Sequence, residues 1–237
     1  MLSSKDFYTR FSPFYTQYAT EKRRYLLAVD KFIMENVRGG INLADVGAGD
    51  GKRSLKISAS LGIKSLTFIE NSDGMIVNLR QIPGAIVICA DISSEQFYVQ
   101  TRHDIVLCLW NVLGHIAYGR RGAALKNLAS LVNDDGVIFL DVNNRYNLAH
   151  YGLMAVARNI FRDIFLPRNS NGDFRLTLGT ATGSIDTMIH LFSRREVERL
   201  IELAGLSIKE RRFINYRTGK RVKTSFCGQL VYKLMRS

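Results

Sequence analysis

The chain has few of the residues that build disulfide frameworks and metal clusters. It holds three cysteines and four histidines in 237 residues. Cys89, Cys108 and Cys227 are isolated and show neither paired nor metal-ligand spacing. We therefore predict no metal site and no disulfide framework. In apolar, strand-like surroundings the three are expected to be buried free thiols in a reducing, cytoplasmic compartment.

Long apolar runs are also missing. No stretch of 18 apolar residues occurs, and the first six residues lack the apolar segment of a signal peptide. We expect a soluble protein with no membrane partner. With 46% hydrophobic residues, the chain can bury one sizeable core, which indicates a single domain over residues 1–237.

Acidic residues are outnumbered by basic ones. The chain holds 33 Lys/Arg and 21 Asp/Glu, a net charge of +12. Residues 151–237 carry most of the excess, with 16 Lys/Arg against 7 Asp/Glu. Such a bias suits an anionic substrate or a nucleic acid, and it equally suits a solvated surface that keeps the protein soluble.

Glycine, by contrast, is concentrated in the stretch around which the chain is organised. Residues 43–51 (LADVGAGDG) are typical of a buried strand end, a glycine turn and a helix start. Gly47, Gly49 and Gly51 let the backbone approach a ligand and adopt positive φ. The free N–H groups of the following helix face that ligand. Asp45 stands two residues before the first glycine.

The spacing of this loop separates two nucleotide-like cofactors. A dinucleotide loop needs G-x-G-x-x-G, whereas here Lys52 occupies the position of the third glycine. Asp45 would repel a pyrophosphate and attract a cation. The loop therefore favours S-adenosylmethionine, with its positively charged amino-acid end, and disfavours a nicotinamide-dependent dehydrogenase.

Two further predicted strand ends add suitable groups. Glu70 follows strand 65–69 where a ribose diol would lie, Met75 can back an adenine, and Asp91 follows strand 85–90 where an exocyclic amine needs an acceptor. Solvated strand caps are the alternative for both acids. The predicted cofactor-binding residues are Asp45, Gly47, Ala48, Gly49, Glu70, Asn71, Met75, Asp91, Ile92, Leu109 and Trp110.

Strands and helices alternate around this loop. Strands are predicted near 41–46, 65–70, 85–90, 104–109 and 136–142, and helices near 51–61, 73–81, 93–99 and 111–132. Near-continuous apolar strands indicate a parallel sheet covered on both faces. We predict an α/β, Rossmann-like fold with a seven-stranded, mostly parallel sheet. A small helix and hairpin are inserted after strand five.

The flanking segments supply the predicted lid and insertion. Residues 1–38 are expected to form a helical lid, its two helices joined near Ser12–Pro13, and core packing is the alternative for its aromatics. Residues 146–192 form the substrate-side insertion, with a helix over 147–165 and a hairpin over 174–192. Ser193 with Glu196 then predicts a capping box. Strands near 206–214 and 226–234 follow, joined by a loop with four positive charges.

The fourth strand runs into candidate catalytic residues. Asn111 and His115 are four residues apart, so in a helix both face the cleft, where they could orient a nucleophile or accept its proton. A structural hydrogen bond is the alternative for His115. Tyr15, in the aromatic segment, is the third candidate.

Five segments resemble glycine and glycine/sarcosine N-methyltransferases. They are residues 70–75, 111–115, 124–132, 136–141 and 144–147, within a region of resemblance over about 40–147. The resemblance implies the class I S-adenosylmethionine-dependent methyltransferase fold and this cofactor. It also implies cofactor contacts at Asp45, Gly47, Glu70, Met75, Asp91 and the backbone near Trp110, with Asn111 near the substrate amine.

One departure concerns the substrate. That family places a carboxylate-clamping arginine two residues after the aspartate that ends strand five, and here the position is Asn143, with Arg145 the nearest arginine. Glycine is therefore disfavoured as the substrate, and a larger anionic acceptor suits the basic C-terminal third. Asn143, Arg145 and Arg217 are the predicted substrate-binding residues.

These patterns predict a methyltransferase that acts on a small molecule, at nitrogen rather than oxygen. An RNA-modifying enzyme is the alternative, although the fourth strand lacks the Asn/Asp-Pro-Pro-aromatic motif of many base N-methylating enzymes. A catalytically silent cofactor-binding subunit is another. The oligomeric state is open, a homodimer included.

Overall fold

The computed structural model describes residues 2–37, 39–180 and 183–237. Its strands are β1 (Asn42–Val46), β2 (Ser65–Glu70), β3 (Ile86–Cys89), β4 (His103–Cys108), β5 (Val132–Val142), β6 (Asp173–Thr180), β7 (Gly183–His190), β8 (Leu206–Ile214), β9 (Arg221–Val222) and β10 (Gln229–Arg236). Its helices are α1 (Ser4–Glu21), α2 (Arg23–Asn36), α3 (Lys52–Leu61), α4 (Asp73–Leu79), α5 (Arg121–Leu131), α6 (Leu148–Tyr151), α7 (Leu153–Phe165) and α8 (Arg194–Leu203).

The central sheet has the strand order β3-β2-β1-β4-β5-β10-β8-β9. Strands β1 to β5 pair in parallel, and β10 is antiparallel to both β5 and β8. Consequently β8 runs in the direction of the parallel strands, and its following loop emerges at their carboxyl edge. The predicted mostly parallel α/β sheet is confirmed. It has an eighth strand because the two-residue β9 pairs with the end of β8.

Two apolar clusters cover the two faces of the sheet. One contains buried residues of α2 and α3 together with inward side chains of β1, β2 and β4. The other contains residues of α5 and α8 against β4, β5 and β10. This two-sided burial explains the near-continuous apolar strands. The edge strand β3 is not covered in this way, and Cys89 within it is exposed, while Cys227 is only half-buried. The prediction of buried thiols is therefore confirmed for Cys108 and wrong for the other two.

Three helix predictions differ from the structure. Helix α1 continues through Pro13, and the junction with α2 lies at Lys22. Aromatic contacts run across the proline, because the buried ring of Phe11 lies 6.3 Å from that of Phe14 and 5.7 Å from that of Tyr18 between centroids. The segment predicted as helix 93–99 has no helix, and helix 147–165 is divided at Gly152, whose φ is +80°.

The helix predicted from residue 111 is also interrupted. Two short 3₁₀ turns, Val112–His115 and Tyr118–Arg120, precede α5. Asn111 itself has a left-handed φ of +63°, so it lies outside helical geometry.

The hairpin β6–β7 and the capping box of α8 are confirmed. The hairpin pairs Asp173 with His190 at its base. Ser193 Oγ accepts the Glu196 N–H, and the Glu196 side chain accepts the Ser193 N–H. The outer strand β7 also bridges to Leu2, so the hairpin lies beside the start of α1. Among the described helices, none has the length and apolarity needed to cross a membrane.

Candidate active site

The carboxyl ends of β1 to β4 surround a cavity of about 290 Å³, here called the first cavity. Its lining combines apolar side chains with two carboxylates, Glu70 and Asp91. Eleven of the predicted site residues line it, namely Gly47, Gly49, Glu70, Asn71, Met75, Asp91, Ile92, Leu109, Trp110, Tyr15 and His115. Asp45 and Ala48 do not line it.

The glycine loop is a close-approach turn. Gly47 and Gly49 have φ values of +69° and +59°. A Cβ at Gly49 would lie 2.5 Å from Tyr15 Oη, and one at Gly47 would lie 2.4 Å from Val112 Cγ2. Both the backbone conformation and the neighbours therefore require glycine, which leaves a cradle of bare backbone facing the cavity.

Asp45 lies buried behind this loop at the end of β1. Its carboxylate accepts a hydrogen bond from the Ser54 hydroxyl in the first turn of α3. Burial raises the pKa of Asp45 to about 6, although the Ser54 hydrogen bond and the Arg53 charge oppose the rise. The carboxylate is thus close to titrating near neutral pH, which makes it sensitive to any cation that approaches the loop.

Glu70 is held at the end of β2 by backbone donors. Its carboxylate accepts N–H groups of Gly49 at 3.1 Å, Asn71 at 2.9 Å and Ser72 at 3.0 Å. Burial raises the pKa of Glu70, and these three hydrogen bonds limit the rise. The side chain therefore joins the glycine loop to the start of α4 and presents acceptor oxygens to the first cavity.

Asp91, after β3, is an ionised acceptor at the rim. It accepts the Ser93 N–H at 2.9 Å and the Ser93 hydroxyl at 2.7 Å, and it pairs with Arg120 at 3.0 Å. Partial burial works to raise the pKa of Asp91, but the Ser93 and Arg120 contacts outweigh it and the pKa is lowered.

Helix α1 forms the wall opposite the strand ends. Tyr8 and Tyr15 line the first cavity from this helix. Trp110 stacks on Tyr18 at 5.6 Å and meets Tyr15 edge-on at 5.6 Å between ring centroids. At Gly74 in α4, a Cβ would lie 2.6 Å from the backbone oxygen of Thr9, so α1 rests directly on α4.

The turn after β4 is strained and tightly bonded. Trp110 and Asn111 are consecutive non-glycine residues with positive φ, 58° and 63°. The Trp110 N–H donates to the Asp141 carboxylate. Asn111 Oδ1 accepts the Asn143 N–H at 2.9 Å, and its Nδ2 donates to the His190 carbonyl at 3.3 Å. Such strain persists only where the surroundings impose it, and it is concentrated at functional sites.

His115 lies between this turn and α1. Its Nε2 is 3.0 Å from Tyr8 Oη, while its buried Nδ1 has no hydrogen-bond partner among the described residues. Burial lowers the pKa of His115 to about 4, so the imidazole is neutral near pH 7. Burial also raises the pKa of Tyr8, which keeps the phenol protonated. The pair offers a neutral nitrogen that can accept a proton.

A second cavity of about 180 Å³ shares four wall residues with the first: Tyr8, Tyr15, Trp110 and His115. Its other walls come from α1, α6, the hairpin and the loop after β8. They are Phe11, Tyr18, Lys22, Asn111, Asn143, His150, Tyr151, Phe174, Leu176, Leu178, Ile189, Tyr216 and Gln229. Lys22 supplies a cation, and no carboxylate occurs among these described lining residues.

The predicted substrate-binding residues are separated by the structure. Asn143 lines the second cavity. Arg145 lines neither cavity, because its buried guanidinium pairs with Asp163 at 2.7 Å and Glu196 at 2.5 Å. Arg217 is exposed on the loop after β8 and lies outside the lining, beside the lining residue Tyr216.

Sequence reasoning missed several wall residues. Tyr8 and Tyr18 belong to the aromatic run that was assigned to a lid, but nothing distinguished them from core aromatics. His150 and Tyr151 lie in α6 and reach the second cavity because the chain turns at Gly152. No local sequence pattern predicts the turn at Gly152.

Comparison with known proteins gives structural matches only. No family model and no curated protein matches the chain. An S-adenosylmethionine-dependent methyltransferase from Clostridium acetobutylicum ATCC 824 is 13% identical with a TM-score of 0.66, over 96% of this chain and 99% of that chain. The sugar N-methyltransferase KedS8 from Streptoalloteichus sp ATCC 53650 is 16% identical with a TM-score of 0.62, over 96% and 93%.

A third structure is that of CalS10, an amino pentose methyltransferase from Micromonospora echinaspora with S-adenosylmethionine bound. It is 16% identical with a TM-score of 0.60, over 94% of this chain and 96% of that chain. At these identities the likeness establishes the fold, which is that of the class I S-adenosylmethionine-dependent methyltransferases. The narrower resemblance to glycine/sarcosine N-methyltransferases has no counterpart in these matches.

Proposed function

We propose that the protein is an S-adenosylmethionine-dependent methyltransferase that methylates an amine of a small molecule. The observation that carries the proposal is the pair of cavities with a common wall. One is built from the glycine loop and the acids that follow the strands, and the other is aromatic, with neutral His115 between them. The fold, shared with methyltransferases, supports this assignment.

The first cavity fits the cofactor group by group. Glu70 would accept the ribose hydroxyls, Met75 and Ile92 would enclose the adenine, and Asp91 would accept its amine. Asp45, behind the glycine cradle, would attract the ammonium of the amino-acid end. When bound, the cofactor supplies a methyl group activated by its positive sulfur. The chain must orient the acceptor and exclude water, and orientation is worth about 7 to 11 kcal/mol in well-aligned systems.

The second cavity would hold the acceptor amine in its neutral form. It has no described carboxylate that would stabilise an ammonium ion, and the neutral imidazole of His115, in the wall shared with the first cavity, would take the proton that the amine loses. The Asn111 amide is locked by Asn143 and His190, so we assign it a positioning role at this wall.

We further infer that the acceptor is a single-ring molecule with an anionic group. A volume of about 180 Å³ is small for a ligand pocket, aromatic walls suit the face of a ring, and Lys22 can pair with an anion. By description, KedS8 is a sugar N-methyltransferase and CalS10 is an amino pentose methyltransferase. Glycine itself is not favoured, because Asn143 stands where the glycine N-methyltransferases that residues 40–147 resemble have an arginine.

Two experiments test the proposal. Calorimetry with S-adenosylmethionine should show binding that Glu70→Ala weakens strongly, whereas Glu202→Ala on the exposed side of α8 leaves it unchanged. Undiminished binding by the Glu70 variant would remove the cofactor assignment. Incubation with an isotopically labelled methyl donor and a library of small amines, read by mass spectrometry, should then yield labelled secondary or tertiary amines. Label appearing only on RNA would contradict the small-molecule assignment.

A further inference from the structure

Helix α7 turns an apolar face to solvent. Five of its large apolar side chains are more than half exposed: Leu153 at 73%, Met154 at 88%, Phe161 at 55%, Ile164 at 65% and Phe165 at 65%. Leu166, directly after the helix, is 53% exposed. Within α7, only Val156 is buried.

The exposed side chains form one stripe. Met154, Phe161 and Phe165 are spaced at i, i+7 and i+11, which places them on one side of a helix. The rings of Phe161 and Phe165 are tilted against each other with centroids 4.8 Å apart. A helix that packs only against its own domain shows the reverse pattern, with its apolar stripe inward. A stripe of this size on the surface marks an interaction site.

Basic side chains accompany the stripe. Arg158 and Arg162 lie one turn apart on α7, and Arg168 follows the helix; all three are exposed and have no ion pair with any residue in the described ranges. The acidic residue of the helix, Asp163, points inward to Arg145 and Tyr146. We define the α7 surface as Met154, Arg158, Phe161, Arg162 and Phe165.

We propose that the α7 surface docks this protein on an anionic phospholipid membrane, with the helix lying in the plane of the headgroups. The pattern is that of interfacial helices, in which aromatic and aliphatic side chains enter the lipid boundary while arginines meet the phosphates. The charge identifies the partner. A second copy of this chain would bring identical arginines together across a two-fold contact, whereas an anionic lipid surface neutralises them.

Two further features of the molecule support docking through the α7 surface. The net charge is +12, so the protein is attracted to a negative surface before the helix makes contact. Helix α7 also follows directly after α6, whose His150 and Tyr151 line the second cavity. This docking does not depend on the proposed methyl transfer.

Vesicle co-sedimentation of the full chain tests the proposal. The probes are vesicles of phosphatidylcholine alone and of phosphatidylcholine with an equal part of phosphatidylglycerol. We expect binding to the mixed vesicles that falls with added salt, and weak binding to the neutral ones. Each removed arginine should weaken partitioning on the order of fivefold, so Arg158→Gln with Arg162→Gln should weaken it about 25-fold.

Matched controls lie on α8. Arg195 and Arg199 are exposed at the same i, i+4 spacing, and Leu203 is 66% exposed. Arg195→Gln with Arg199→Gln should change binding far less than the α7 pair, and Leu203→Ser far less than Phe161→Ser. Retained thermal unfolding temperatures show that each variant is folded.

Three outcomes would overturn the proposal. One is no binding to either vesicle, and another is equal losses from the α7 and α8 variants. The third is a dimer in sedimentation velocity that Phe161→Ser dissociates, which would assign the stripe to a second copy of the chain.

Discussion

At the scale of single residues, burial shifts the pKa of an acid and of an imidazole in the site, each toward its neutral form. Burial raises the pKa of Asp45 to about 6 and lowers that of His115 to about 4. Neither shift helps the folded state at neutral pH. Such conflicts between stability and chemistry are typical of functional positions.

Asp45→Asn should therefore stabilise the protein and weaken its cofactor binding. A carboxyl group whose pKa rises on folding contributes most stability below its ordinary pKa of 3.8 and loses it as pH rises through about 6. At pH 7 the wild type has lost on the order of 2 to 3 kcal/mol that the variant keeps, equivalent to about 5 to 10 °C in Tm.

The pH dependence distinguishes this explanation from improved packing. Scanning calorimetry should show the gain at pH 7 and its disappearance near pH 4. The affinity of the wild type for S-adenosylmethionine should fall as pH drops below about 6, because the neutral acid no longer attracts the ammonium. A gain in Tm that does not change with pH would contradict the role of ionisation.

His115→Gln should lower the rate constant of the methyl-transfer step about 100-fold, the lower end of the range for a general base, and leave the cofactor Kd unchanged. Tyr8→Phe should reduce that rate constant less, because it removes the hydrogen bond at Nε2 without removing the proton acceptor. Single-turnover kinetics with the labelled donor give the measurement. Equal rates for wild type and His115→Gln would leave His115 a structural role only.

The sequence indicated which residues face the first cavity better than those that face the second. Glu70 and Asp91 could be placed because each lies at the carboxyl end of a parallel strand, and such ends meet at one edge of the sheet. Arg145 could not, because its partner Glu196 is 51 positions away in the chain. Only the folded structure shows that this guanidinium is already paired.

At the scale of elements, the arrangement depends on α1 lying flat on α4. The sequence does not predict this, because Pro13 indicates a break, whereas the helix continues through it to Glu21. Residues 93–99 are likewise predicted as a helix, but the structure has only turns there. Strand predictions succeeded because apolar runs of four to six residues bounded by glycine or acids have few alternatives in an alternating α/β chain.

Gly74→Ala tests the contact between α1 and α4. In an isolated helix the change favours folding by about 1 kcal/mol, but here the added Cβ would lie 2.6 Å from the Thr9 backbone oxygen. We expect a lower Tm and faster proteolysis within α1. Gly122→Ala in α5 is the matched control, since nothing lies within 4 Å of its Cβ, and it should raise Tm.

Stabilisation by both glycine variants would show that α1 yields easily at this contact. Destabilisation by both would point to the helices themselves rather than the contact. Only opposite signs support the close packing of α1 on α4.

The sequence alone also does not predict which side of α7 faces the domain. A sequence pattern gives the angular position of apolar residues around a helix, but it does not say which side faces the domain. The buried ion pairs of Arg145 with Asp163 and Glu196 fix that side. They turn Asp163 inward and leave Met154 and Phe161 outside.

At the scale of the whole molecule, two surfaces carry much of the excess positive charge of the C-terminal third. One is the α7 surface, and the other is the loop after β8, which holds Arg217 and Lys220 and continues into Arg221 of β9. Because β8 runs with the parallel strands, this loop emerges at the cavity edge, next to Tyr216 in the wall of the second cavity. The sequence showed the excess without its distribution in space.

Neutralising the loop should weaken acceptor binding alone. Arg217→Gln with Lys220→Gln and Arg221→Gln is expected to raise the KM for an anionic acceptor several-fold and leave the cofactor Kd within twofold. The steady-state comparison uses Arg195→Gln with Arg199→Gln and Lys209→Gln, three exposed positions, as the control for total charge. Equal losses in both ligands, or equal effects of the two sets, would contradict the assignment.

Helix α1 is a common wall of both cavities, with Tyr8 and Tyr15 facing each of them. One displacement of this helix would therefore open both chambers, so spent nucleoside and methylated product would depart in a single event. Displacement of α1, and not methyl transfer, would then limit the rate of turnover. We expect kcat to decrease with solvent viscosity, while the first turnover after mixing is unaffected.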